Sequence, residues 1–279
     1  MSLPLIIEAG ELYACLQGQS PRPADLLIVD LSGEAAYQHS HIPGAIHVAS
    51  SELILGSKPA PGLLPPVDQL NALFSRLGLT PETHVVCYDD EGGAWSGRFI
   101  WTLDVIGHRH ASYLNGGIHS WRAAGLPEEQ TRPSRKATTV NITLDTTALA
   151  TTEDILQELN SKQLLVWDAR SAEEYRGEKV LSKRGGHIPG AIHCEWTELL
   201  DTNDHLRIRA DVAAYLQQRG ITADKRIVTH CQTHRRSGLT YLVMKSLGYP
   251  HIRAYPGSWS EWGNRPDTPI EKTPVETTT

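Results

Sequence analysis

The stretch LLIVDLSGEAAYQHSHIPGAIHV (26–48) returns as LLVWDARSAEEYRGEKVLSKRGGHIPGAIHC (164–194), lengthened by eight residues. Two more stretches recur in the same order: VVCYDDEGGAWSGRF (85–99) is answered by IVTHCQTHRRSGLTY (227–241), and YLNGGIHSW (113–121) by AYPGSWSEW (254–262). Three matched blocks in matched order make a duplicated unit. A length of 279 residues agrees, since a chain of that size divides naturally into two domains. Within each unit, short β-branched runs ending in Asp (LLIVD, LLVWD) read as buried parallel strands, and residues 237–248 set Leu239, Leu242, Val243 and Leu247 on one face of a helix. The fold class expected is therefore α/β, with two tandem domains, each an open, mostly parallel sheet flanked by helices. The N-terminal domain is placed at 1–125, a Pro/Thr-rich linker at 126–145, the C-terminal domain at 146–268, and a tail, poorly ordered at its end, at 269–279.

A duplication carries its own control. What both units share builds the fold, and what one unit alone has is free to carry chemistry. The HIPGAIH block is in both, so His41 and His187 read as histidines hydrogen-bonded at a turn. The pairs His39/His41 and His108/His110 have metal-like spacing but no third ligand nearby in sequence, and no metal site is expected. Matching Ser96-Gly97 to Ser237-Gly238 sets Asp90 opposite Cys231 in loops of equal length, with Ala94 and Trp95 opposite Arg235 and Arg236. One loop is acidic and apolar; the other holds a thiol and two guanidinium groups. Both lie at a strand-to-helix junction, where open α/β sheets bind ligands.

Backbone N–H groups of a tight loop converge at such a junction, and the helix terminus adds partial positive charge, so an anion is stabilised there. A thiolate is such an anion. With Arg235 and Arg236 beside it, Cys231 is expected to titrate below the free value of about 8.5 and to act as a nucleophile. Cys15, Cys87 and Cys194 sit in apolar contexts and read as inert core residues, whereas Cys231 is followed by Gln232, Thr233 and His234, polar company that an inert buried thiol tolerates badly. The four cysteines form no CxxC pair, which fits thiols kept reduced and a cytoplasmic setting. The start, MSLPLIIEAG, reads as no export leader, and there is no apolar run long enough to span a bilayer. A net charge of −6, spread without like-charge blocks, points neither to nucleic acid nor to a membrane surface.

YxxxHIPGAxxx at Tyr37–Val48 and GSWxEW at Gly257–Trp262 resemble the two signatures of the two-domain rhodaneses, and the likeness covers nearly the whole chain. The loop CQTHRRS is similar to that of bacterial family members with a CQTH start. The resemblance implies a thiosulfate sulfurtransferase with an inactive first domain. In it, Cys231 takes the outer sulfur of thiosulfate as a persulfide, needs no cofactor, and passes the sulfur to cyanide or a thiol. Gln232, Thr233, His234, Arg235 and Arg236 would bind the substrate, and a monomer is expected. Alternatives are 3-mercaptopyruvate as donor, for which two arginines are less apt, and a sulfur carrier or redox sensor using the same thiol. A phosphatase-like C-x5-R loop fails on spacing, because Ser237 stands where its arginine must be.

Overall fold

The structure is a computed structural model and describes residues 2–272. The first copy is built on a five-stranded parallel sheet of order β1-β5-β4-β2-β3, comprising β1 (Ile6–Ile7), β2 (Leu26–Asp30), β3 (Ala45–His47), β4 (His84–Tyr88) and β5 (Ala111–Leu114). Around it lie α1 (Ala9–Leu16), α2 (Glu34–His39), α3 (Val67–Arg76), α4 (Ala94–Val105) and α5 (Gly117–Ala123). The second copy holds a four-stranded parallel sheet, β11-β10-β6-β7, from β6 (Leu164–Asp168), β7 (Ile192–His193), β10 (Arg226–His230) and β11 (Ile252–Ala254). A small antiparallel pair, β8 (Leu200–Asp201) and β9 (Arg207–Ile208), projects from it. Its helices are α6 (Thr152–Glu158), α7 (Ala172–Arg176), α8 (Val212–Gln218), α9 (Arg236–Ser246) and α10 (Ser258–Trp262). Where β1 pairs with β5 in the first copy, the second keeps a single parallel bridge, Leu149 to Ala254.

The central strands β2, β4, β6 and β10 are covered on both faces, which is why β2 and β6 read as apolar runs up to their closing Asp. The repeated HIPGA block forms the same turn twice. His41 Nδ1 lies 2.7 Å from the Tyr37 carbonyl and His187 Nδ1 2.9 Å from that of Tyr175, and each imidazole stacks on its tyrosine ring at 3.9 and 3.7 Å between centroids. The linker does not hang free. Arg135 pairs with Asp25, and the Val140 and Ile142 N–H groups donate to Ser75 and Asn71 on α3. The end of the tail, 273–279, lies outside the described residues.

The two copies pack through α4 against α9, inside a hydrophobic cluster that runs continuously from one sheet to the other. This explains a departure from the expected one-faced helix: Ser237 through Met244 are all buried, because α9 has its own sheet on one side and α4 on the other. The crossing is tight because both helices place glycine at it. A Cβ on Gly97 would stand 2.2 Å from the Gly238 carbonyl oxygen, and one on Gly238 would stand 2.4 Å from the Arg98 nitrogen.

Candidate active site

β10 ends at His230, Cys231 follows, and the chain turns through 232–235 into α9. Cys231 is buried, 1% exposed, at the base of this loop. Its own N–H donates to Ser258 Oγ at 3.3 Å, and its carbonyl accepts from Trp259 N–H at 2.9 Å, so the GSWSEW segment pins the cysteine backbone from α10. The turn is completed by His234 at φ 54°, left-handed backbone that costs a non-glycine residue roughly 1–3 kcal/mol. Its imidazole, fully buried with Nδ1 2.8 Å from Ser237 Oγ, holds it there.

Burial alone would push the Cys231 thiol up. Against it act Arg236, then Ser237 through hydroxyl and N–H, then the Thr233 N–H, and the net result is a thiol below its ordinary value. These donors are the loop and helix-terminus groups expected to favour a thiolate. The two arginines part company. Arg236, at the first turn of α9, is beside the sulfur and is clamped by Glu174 of α7 in two bonds of 2.6 and 2.9 Å. Glu174 is buried, and Arg236 keeps its carboxyl below the usual range against the opposing effect of burial. Arg235 turns the other way, 3.1 Å from Glu91 of the first copy and over the Trp95 ring, and Arg236 is the arginine that draws the thiol down most. Gln232 donates to Ser182 at 3.3 Å, and His234 points into the boundary between the copies against Trp101.

The residue opposite Cys231 is Asp89, not Asp90. The Leu31 N–H bonds to the carbonyl of Tyr88 and the Ala169 N–H to that of His230, which makes these strand ends equivalent. The carbonyls of Asp89 and Cys231 then accept from Ile118 and Trp259 in the same way. The first loop is thus one residue longer, and matching the copies on their helices alone displaced the comparison by one. Asp89 is buried, and its carboxylate accepts from the N–H groups of Glu91, Gly93 and Ser96 at 2.8–2.9 Å. In the first copy, a tethered carboxylate fills the cradle that holds sulfur in the second.

Three contributors escaped the reading of the sequence, although the repeat could have shown each. Arg98 of α4 is wholly buried, donates to the carbonyls of Gly62 and Leu53 at 2.7 Å, and has no carboxylate partner among the described residues. Burial pushes its guanidinium down from its ordinary value and the Cys231 thiolate pushes it back up. Its counterpart in the second copy is Leu239, so a cation stands alone in an apolar helix. Glu174 stands where the first copy has Ala36, and Ser258 where it has Gly117.

An open cleft of about 610 Å³ leads to the loop, lined by Gln232 and Thr233, by Leu181 and Lys183 of the insertion peculiar to the second copy, and by Lys58 and Pro59 of the first. Gly62 in that covering segment comes so near that a Cβ on it would lie 2.3 Å from the Thr233 carbonyl oxygen. Among the described residues no group of three or more His, Cys, Asp or Glu side chains could hold a metal ion, and no helix is long and apolar enough to cross a membrane. The rhodanese-like domain matches this chain twice, over residues 8–124 and 151–265. A thiosulfate sulfurtransferase of Azotobacter vinelandii is 52% identical over 270 residues, 97% of this chain and 98% of that protein. One of Pseudomonas aeruginosa is 51% identical over 96% and 97%. The crystal structure of YnjE superposes with a TM-score of 0.88 at 23% identity, covering 97% of this chain and 69% of that one.

Proposed function

The chain belongs to the rhodanese family as a two-copy thiosulfate sulfurtransferase, and from that premise we propose that Cys231 is its sulfur carrier and that the first copy holds no second one. The observation that carries this is the cradle itself: Cys231 is the cysteine whose thiol is drawn below its ordinary value, while burial pushes Cys15, Cys87 and Cys194 up. The Cys231 thiolate attacks the outer sulfur of thiosulfate. A bond forms from Sγ to that sulfur, the thiosulfate S–S bond breaks, and sulfite leaves with the electron pair. The nucleophile arrives already ionised, so no general base is needed.

The persulfide anion that remains sits one atom further out, under the N–H groups of the loop and the Arg236 guanidinium, donors fixed before the reaction begins. A thiophilic acceptor such as cyanide then attacks the outer sulfur, and the Cys231 thiolate is released to begin again. Donor and acceptor reach the loop through the cleft, whose Lys58 and Lys183 have no acidic partner within 4.0 Å among the described residues and favour anions. Arg236 faces the thiosulfate oxyanion and the departing sulfite, and Gln232 and Thr233 line the approach. No metal, cofactor or second subunit enters these steps. Mass spectrometry after thiosulfate treatment tests the assignment: a species heavier by about 32 Da on the peptide containing Cys231, removed by cyanide, is expected from one added sulfur. Sulfur on any other cysteine, with Cys231 unmodified, overturns it.

A further inference from the structure

Buried polar atoms without a hydrogen-bond partner gather around the Cys231 loop, among them Arg98 Nε and His234 Nε2. Arg98 comes from α4 of the first copy and His234 from the loop of the second, and both lie against Trp101. The guanidinium is 4.7 Å from the indole centroid, and the imidazole meets it edge-on at 4.6 Å. The other nitrogen of His234 lies 2.8 Å from Ser237 Oγ, and Ser237 is among the groups that draw the Cys231 thiol down. We propose that Arg98, His234 and Ser237 form a polar chain from the first copy to Cys231, its first link one of charge and its later links hydrogen bonds, and that this chain positions and stabilises the charge on the sulfur. The inference rests on the reading of Cys231 as the sulfur carrier and adds that the unreactive copy is a working part of the site.

The direction of the chain follows from counting hydrogens. Ser237 has one hydroxyl hydrogen, and against a thiolate it must point at the sulfur, so its oxygen accepts from Nδ1–H of His234. Burial, reinforced by the Arg98 charge, keeps that imidazole neutral, and a neutral ring protonated on Nδ1 presents a bare Nε2. The bare nitrogen belongs to the histidine that feels the Arg98 charge, and Arg98 Nε–H is itself without a partner. His234 donates to Ser237 and Ser237 toward the sulfur, while Arg98, which shares no hydrogen bond with His234, acts on the imidazole and on the sulfur by its positive charge. No proton is transferred; the chain serves thiolate and persulfide alike. The charged groups facing the sulfur are Arg236 on α9, with Glu174 of α7 behind it, and Arg98 on α4.

The test compares Ser237→Ala, Ser237→Thr, Arg98→Met, Arg98→Lys and the double variant Ser237→Ala/Arg98→Met, all as full-length protein. The pH dependence of iodoacetamide alkylation of Cys231 is read first and needs no thiosulfate. Ser237→Ala and Arg98→Met should each move its midpoint upward by about half to one pH unit, and kcat/KM for thiosulfate should fall by about tenfold. Ser237→Thr, which keeps the hydroxyl, should recover most of the loss. The double variant should shift by less than the sum of the singles, the mark of groups that act through one another. Should Arg98→Met fail to fold, Arg98→Lys stands in with a smaller displacement in the same direction. Unchanged midpoints in folded variants overturn the proposal, a shift in Ser237→Ala alone confines the chain to the second copy and overturns its first-copy part, and full additivity overturns the coupling. A wild-type protein that takes no sulfur on Cys231 instead refutes the assignment of the carrier, a failure visible separately by mass.

Discussion

At the scale of single residues, Cys231 and Asp89 hold equivalent cradles, and the choice of atom decides which copy reacts. A carboxylate in the cradle is a weak nucleophile already satisfied by three N–H groups; a thiolate there is a strong nucleophile at the base of a loop whose Gln232 and Thr233 line the cleft. Cys231→Ser should abolish turnover and keep the fold, and more than a few per cent residual activity in a thiosulfate–cyanide assay would contradict the assignment. The pH dependence has a definite sign. Because the folded thiol titrates below its unfolded value, near 8.5, ionisation stabilises the folded state above that value, and the contribution drains away as pH falls through the folded one. Denaturation of wild type and Cys231→Ser across the pH range should therefore show the wild type gaining relative stability as pH rises between the two. Asp89→Cys should place a thiol under the same N–H groups but without an arginine, since Ala94 and Trp95 stand in that copy where Arg235 and Arg236 stand in the other. No persulfide should form at residue 89, and finding one by mass would show that the N–H groups suffice alone.

Between elements, α7 and α9 are joined by Glu174 and Arg236, and α9 and α4 by their two glycines. Arg236→Ala should lower kcat/KM for thiosulfate by roughly ten- to a hundredfold, the worth of a charge-assisted hydrogen bond of about 1.5–3 kcal/mol. It should also lose stability, because Glu174 is left buried and uncompensated. Adding Glu174→Gln should restore melting temperature without restoring activity, which separates the two roles. Arg235→Ala, whose partner is half-exposed Glu91, should cost much less of both. Gly238→Ala must push α9 off α4 and should destabilise by about 1–3 kcal/mol in chemical denaturation. These elements were unevenly legible in the sequence. Strands, the doubled HIPGA turn and the loop with its thiol all announce themselves, because apolar runs and turn residues are local signals. The α7–α9 pair spans 62 residues and the α4–α9 crossing joins two copies, so neither leaves a local trace. The misplaced partner of Cys231 has the same origin: Ser-Gly marks the helices, but the strand ends are matched by hydrogen bonds that only the folded chain displays.

Over the whole molecule, the repeat established two copies and a parallel sheet in each, while the shared cluster between them and the buried Arg98 were hidden. An arginine in an apolar helix reads as an oddity until the second copy is packed against it. The pseudo-symmetry also makes the first copy more than a lid, because its α4, its covering segment and its Trp101 all border the Cys231 loop. The filled cradle of that copy has a consequence in stoichiometry. A chain descended from two equal halves could have stored two sulfurs and let the sites compete for donor; with Asp89 as a permanent internal ligand, it loads like a single-shot device. The pre-steady-state burst of sulfite should therefore saturate at one equivalent per chain, however high the thiosulfate concentration is raised.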